Sequence, residues 1–118
     1  MNVQRGDVVL VDFPFPRGGG SKVRPALIVQ NDSDNGRLVT TIVAQITGNI
    51  QRAAESTQVL IDISTPGGKQ SGLQFDSVVN CVNLVTLDKN SVMRRIGLLP
   101  DSLMREVDTA LKAVLALN

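Results

Sequence analysis

The sequence predicts a mainly β fold, a curled antiparallel sheet or small barrel of short strands with short helices and one closing C-terminal helix. Three observations predict it. Short β-branched segments recur along the 118 residues between Gly-, Pro- and Asn-rich breaks. Apolar residues at helical spacing run for any length only after Pro100. There is no internal repeat, heptad array or low-complexity tail beyond two Gly-rich stretches. A chain of this length reads as a single domain, residues 1–118, able to remove roughly two thirds of its unfolded surface from water without a staple.

Asp7 to Phe13, D-V-V-L-V-D-F, is bounded by Gly6 and Pro14 and reads as a buried first strand. Pro14 to Lys22 follows, with three consecutive Gly residues, and reads as a mobile loop that is basic at its far end. Pro25–Gln30 and Leu38–Ile46 are strands, and the N-D-S-D-N-G-R between them predicts a hairpin turn. Gly48–Ala54 fits one or two helical turns, and Thr57–Ile63 resumes as a strand. Ser64–Phe75, with three Gly and one Pro, reads as a second flexible loop before a long central strand, Asp76–Leu87. Arg94–Leu99 is a last short strand. Asp101 or Ser102 is the expected N-cap of a helix running to about Leu117, with Leu103, Val107, Ala110, Leu111, Val114 and Leu117 on its buried face. On the outer side, Asp108 and Lys112 are spaced for an i, i+4 pair. Phe13 and Phe75 are expected in the core.

Composition removes several classes of chemistry. The chain holds 12 basic and 11 acidic residues, one Cys, and no His, Trp or Tyr. Ser-His-Asp and Cys-His centres are therefore impossible, and a metal site is not expected. Cys81 lies in an apolar run and is expected to be buried. No apolar run approaches the ~18 residues of a membrane span, and no signal-peptide pattern opens the chain, so a soluble cytoplasmic protein is expected. The net charge of +1 is small but unevenly placed. Arg17, Lys22 and Arg24 form one unopposed positive field, and Lys89, Arg94 and Arg95 form another.

Two patches can carry chemistry. G-G-G-S-K-V-R-P, Gly18–Pro25, brings Lys22 and Arg24 to a strand start, where a guanidinium can grip two phosphate oxygens. Its spacing matches neither nucleotide-binding Gly motif. Q-I-T-G-N-I, Gln45–Ile50, ends a strand on the Thr47 hydroxyl, which alone equally fits a turn residue bonding its own backbone.

Taken together, R-G-D-V-V-L-V-D at Arg5–Asp12, R-P-A-L-I-V-Q-N-D at Arg24–Asp32 and T-I-V-A-Q-I-T at Thr41–Thr47 resemble the MazF/PemK family of toxins from bacterial toxin–antitoxin systems. D-S-V-V at Asp76–Val79, T-L-D-K at Thr86–Lys89 and the I-G-L-L before the terminal helix extend the resemblance over nearly the whole chain. It implies an SH3-like small barrel, a symmetric homodimer, and a metal-independent, sequence-specific endoribonuclease that needs no cofactor. Such an enzyme cuts single-stranded mRNA to leave a 2′,3′-cyclic phosphate and a 5′-hydroxyl, and is silenced by an antitoxin whose disordered tail crosses the basic groove. Family members that use an Arg and Thr pair place them at Arg24 and Thr47, the catalytic candidates. Arg17, Lys22, Arg52 and Lys69 are then the candidate phosphate contacts, and Phe15, between two prolines, either anchors its loop or stacks a base. The sequence departs from other branches, which place an Arg and an Asp at Asn80 and Val82, an Arg at Val85, and Glu-Gln at Gly19 and Gly20. Two other readings stand beside this one. A CcdB-like toxin acts on DNA gyrase through a C-terminal Trp-Gly-Ile, whereas this chain ends Ala116-Leu117-Asn118; a non-catalytic nucleic-acid-binding dimer of the same fold would follow from the altered loop.

Overall fold

The computed structural model describes residues 2–14 and 20–118. Six strands form one antiparallel sheet: β1 (Asp7–Pro14), β2 (Ser21–Ile28), β3 (Thr40–Thr47), β4 (Gln58–Ile61), β5 (Ser77–Asp88) and β6 (Val92–Leu98). They lie side by side in the order β4-β5-β3-β2-β1-β6. The expected class, mainly β with short helices and a C-terminal helix, is what is found.

Alternation along the strands supplies two cores. One face buries Val8, Leu27, Ala44, Ile46, Val59, Ile61 and Val79 beneath the closing helix α3 (Asp101–Leu115). The other buries Val9, Val11, Ala26, Ile28, Val43 and Val92, with Phe13, Val85 and Leu87 packed against them. β5 and β6 stand toward opposite ends of the sheet, so Leu87 and Val92 can share this second core only because the sheet curls over it. The bend is visible in β5, whose register against β3 slips between the Ala44 and Gln45 pairings. Such a bulge increases local twist. It lets the first half of β5 pair with β4 while the second half turns over the inner core.

Several connections are more ordered than the sequence suggests. The expected hairpin turn is a short helix, α1 (Asp32–Arg37), because Asn31 caps it by accepting from the Asp34 N–H at 2.8 Å and two acids sit in its first turn. Buried Asn35 fastens α1 to the sheet, accepting from Gln30 Nε2 at 3.0 Å and from Thr41 Oγ1 at 2.8 Å. The stretch read as a second flexible loop contains helix α2 (Pro66–Gln70), capped by Thr65. Gly68 in α2 lies so close to the Asp62 carbonyl that no Cβ fits between them. Its glycines thus serve close packing rather than freedom. Conversely, Gly48–Ala54 forms isolated turns and no helix. The assigned strand after it is shorter than expected, Gln58–Ile61.

Helix α3 departs from expectation at both ends. Its N-cap is Pro100, without a side-chain bond, and the Pro100 carbonyl accepts from Leu103 and Met104 N–H groups. Met104, Val107 and Ala110 make its buried stripe, flanked by Leu103, Leu111 and Val114. Ala116 adopts a left-handed conformation (φ 56°) and ends the helix, which turns Leu117 away to 61% exposure. Asp108 pairs with Arg5 at 2.6 Å instead of Lys112, tying the start of the chain to α3.

Cys81 is fully buried, as expected, and burial pushes its thiol up to about 11. It is therefore a protonated core group at neutral pH and no nucleophile. Native protein should resist alkylation at pH 8 and react only as fast as it unfolds; labelling kinetics with and without denaturant check this. The unfolded thiol ionises first as pH rises. Stability from this group is therefore intact below about pH 9 and declines between about 9 and 11.

Candidate nucleic-acid interface

β2 begins at Ser21, so Lys22 and Arg24 belong to a strand and not to a loop. Lys22 pairs across from Phe13, and Arg24 from Val11, in the β1–β2 ladder. Alternation therefore puts both cations on the inner-core side of the sheet, about 7 Å apart along the strand. Lys22 is exposed and Arg24 half-buried. Among the described residues neither makes a salt bridge.

The β2–β3 ladder ends at the Ala26–Gln45 pair. Two residues further along each strand stand Arg24 and Thr47, the next positions on the same face. They flank the gap where the two strands part. Thr47 Oγ1 accepts from the Asn49 N–H at 3.1 Å, and Asn49 Oδ1 in turn accepts from the Gln51 N–H at 3.1 Å. The turn reading of Thr47 is thus correct, and it fixes the side chain. It uses the hydroxyl as an acceptor, leaving its proton free to donate. A guanidinium and a hydroxyl that donates to no acceptor among the described residues, on one face where the β2–β3 ladder ends, suit an oxyanion of phosphate.

Beside them lies a row of amides. Asn83 Nδ2 donates to Gln45 Oε1 at 2.7 Å, and Gln58 Nε2 donates to Asn80 Oδ1 at 2.9 Å. Asn80 also accepts from the Val82 N–H, so the departure from Arg at this position leaves a neutral, structural amide. Val85 packs against the inner core, and an Arg contact is replaced there by burial.

The other candidates separate from this pair. Arg17 and Phe15 lie outside the described residues, as does most of the segment read as the first mobile loop. Arg52 is held by both oxygens of Glu55 at 2.8 Å, which raises its pKa and lowers that of Glu55, chiefly through the hydrogen bonds. Its charge is spent locally. Lys69 sits on α2, which packs on Pro100 and Leu103 beside α3. In the second positive field Arg95 pairs with buried Asp7 at 3.1 Å and Lys89 Nζ donates to the Asn35 carbonyl, leaving Arg94. Phe75, expected in the core, is 62% exposed. Sequence reading missed it because an apolar residue just before a strand looks like core.

A family model described as PemK-like, MazF-like toxin of type II toxin-antitoxin system matches residues 4–115. The chain belongs to this toxin family. Endoribonuclease EndoA of Bacillus subtilis (strain 168) is 41% identical to the toxin over 118 residues, covering 99% of this chain and 97% of that protein. Mycobacterium tuberculosis toxin MazF-mt6 superposes with a TM-score of 0.77 at 25% identity, over 95% of this chain and 98% of its own. A mycobacterial endoribonuclease in complex with its cognate antitoxin superposes with a TM-score of 0.74 at 26% identity, over 98% of the toxin and 97% of its own chain. No described helix of the toxin is long and apolar enough to cross a membrane.

Proposed function

We propose that this toxin is an endoribonuclease that cleaves single-stranded mRNA at specific sequences, by internal attack of a ribose 2′-OH at the Arg24–Thr47 gap. The observation that carries this is a guanidinium with no salt bridge among the described residues and a hydroxyl fixed by its turn, on one sheet face at the end of one ladder. In the reaction the 2′-oxygen loses its proton and bonds to phosphorus, the bond from phosphorus to the 5′-oxygen breaks, and that oxygen takes up a proton. The products are a 2′,3′-cyclic phosphate and a 5′-hydroxyl, with no water consumed. Arg24 neutralises charge on the five-coordinate transition state, and Thr47 Oγ1 donates to a phosphate or leaving oxygen. A guanidinium holds its proton too tightly to serve as a base, so its role is electrostatic. Lys22, on the same face, holds a neighbouring phosphate, and Arg17 extends that contact.

Neither role needs a metal. Among the described residues no group of three or more His, Cys, Asp or Glu side chains could hold a metal ion. The toxin acts in the cytoplasm as a homodimer, and its antitoxin's disordered tail occupies the basic face.

Incubation of purified toxin with a long single-stranded RNA in EDTA tests this reading. Wild type should make discrete cuts. Thr47→Val, which keeps the shape but removes the donor, should cut about 10- to 100-fold more slowly, and Thr47→Ser should retain most activity. No cutting by wild type would leave the non-catalytic binding dimer, and equal rates for the valine variant would remove Thr47 from the mechanism.

A further inference from the structure

Phe75 is the one exposed aromatic among the described residues. Its exposure is held in place by its surroundings. Ser77 Oγ donates to the Phe75 carbonyl at 2.9 Å, and Asp76 Oδ1 accepts from the Ile63 N–H at 3.0 Å. Upstream, Gly72 takes a positive φ of 73° and presses its α-carbon against the Ile96 carbonyl, where no side chain fits. The ring itself lies against Gly48, where a Cβ would come within 2.8 Å of Phe75 Cε2. Gly48 directly follows Thr47. Phe75 is thus an apolar plate on a fixed backbone, seated against the residue that follows Thr47.

Phe75 also lines an open hollow of about 280 Å³ together with Leu10, Pro25, Arg94 and Ile96. No acidic side chain lines it, and among the described residues Arg94 makes no salt bridge. Pro25 adjoins Arg24 but alternation turns it to the α3 side of the sheet, so the hollow lies on the face opposite Arg24 and is joined to the Arg24–Thr47 gap at the strand end, where Phe75 rests on Gly48. An apolar plate that shares a hollow with a guanidinium, with positive charge and no negative charge, fits a nucleobase of a polyanionic strand. It suits an acidic protein segment less well, because such a segment offers no flat face to the ring.

We propose that Phe75 stacks an unpaired base of the RNA substrate, the nucleotide next to the cleaved linkage, with Arg94 lining the same subsite. This rests on the endoribonuclease reading above. Stacking is tolerant of base identity, so the subsite grips the strand and sets its register, while hydrogen bonds elsewhere read the sequence.

The test uses a short RNA spanning one mapped cut site, together with a copy carrying a single 2′-deoxy nucleotide at the cut, which binds but cannot react. Phe75→Ala should weaken binding of the deoxy copy and lower kcat/KM by roughly 5- to 100-fold. Phe75→Trp should restore both, and Phe75→Leu, equally apolar but not flat, should not. Replacing the adjacent nucleotide by an abasic one should weaken wild type and leave Phe75→Ala unaffected. Equal binding by wild type and Phe75→Ala, or full rescue by leucine, would overturn the proposal. So would an abasic penalty that persists undiminished in Phe75→Ala. Wild-type cutting rates in Thr47→Val, with the loss of binding in Phe75→Ala unchanged, would overturn the catalytic assignment and uphold this one.

Discussion

Arg24→Ala is expected to lower kcat/KM for RNA cleavage about 10²- to 10³-fold, equivalent to about 3 to 4 kcal/mol of lost transition-state stabilisation. The guanidinium has no salt-bridge partner among the described residues, so its charge is available to the phosphate rather than committed to the fold. For the same reason the variant should melt within a few degrees of wild type. Arg24→Lys keeps the charge and loses the two-pronged geometry, and should recover only part of the rate. Single-turnover cleavage beside a thermal melt checks both. An unchanged rate in Arg24→Ala would remove the residue from the mechanism, and a lost fold would make its role structural.

Gly68→Ala is expected to be among the most damaging single-methyl changes to the fold, at about 3 kcal/mol or more and about 10 °C or more in Tm. The added methyl would collide with the backbone of Asp62 and Ile63, which cannot rotate aside as a side chain can. Gly67→Ala meets the Leu103 Cδ1 at 3.0 Å and Pro100 Cγ at 3.2 Å, and should cost less because Leu103 can yield. Gly36→Ala, in α1 with open space around it, should be neutral or slightly stabilising through helix propensity. Urea denaturation of the three variants gives the ranking; a Gly68→Ala as stable as Gly36→Ala would show that α2 does not dock as described.

These two expectations also mark what the sequence made legible. The strands were readable because both their faces bury apolar side chains, as in β1, where Val8 serves one core and Val9 and Val11 the other. The closing helix was readable from its period. The two short helices were not. Their capping residues, Asn31 and Thr65, sit among residues with the composition of a turn, and only the contacts of Asn35 and Gly68 with the preceding backbone, at Gln30 and Asp62, select the helix. Arg24 and Thr47 could be picked out individually from family motifs, but their placement on one face depends on the β2–β3 register, which a sequence does not print. Arg52 was misleading for a local reason: Glu55, three residues on, is at a spacing that pairs with it within one turn. Phe75 was misread because the reason for its exposure, the bare Gly48 beneath its ring, lies 27 positions away, 75 − 48, in the chain.

The central claim is that the Arg24–Thr47 gap promotes attack by the neighbouring 2′-hydroxyl. The most direct test is cleavage in EDTA of two otherwise identical RNA oligonucleotides, one carrying a single 2′-deoxy nucleotide immediately 5′ of the cut, with the product ends identified by mass. The account predicts a cyclic phosphate and a 5′-hydroxyl from the all-ribose strand and no cutting of the deoxy strand. Equal cutting of both, with a 5′-phosphate on the product, would contradict it.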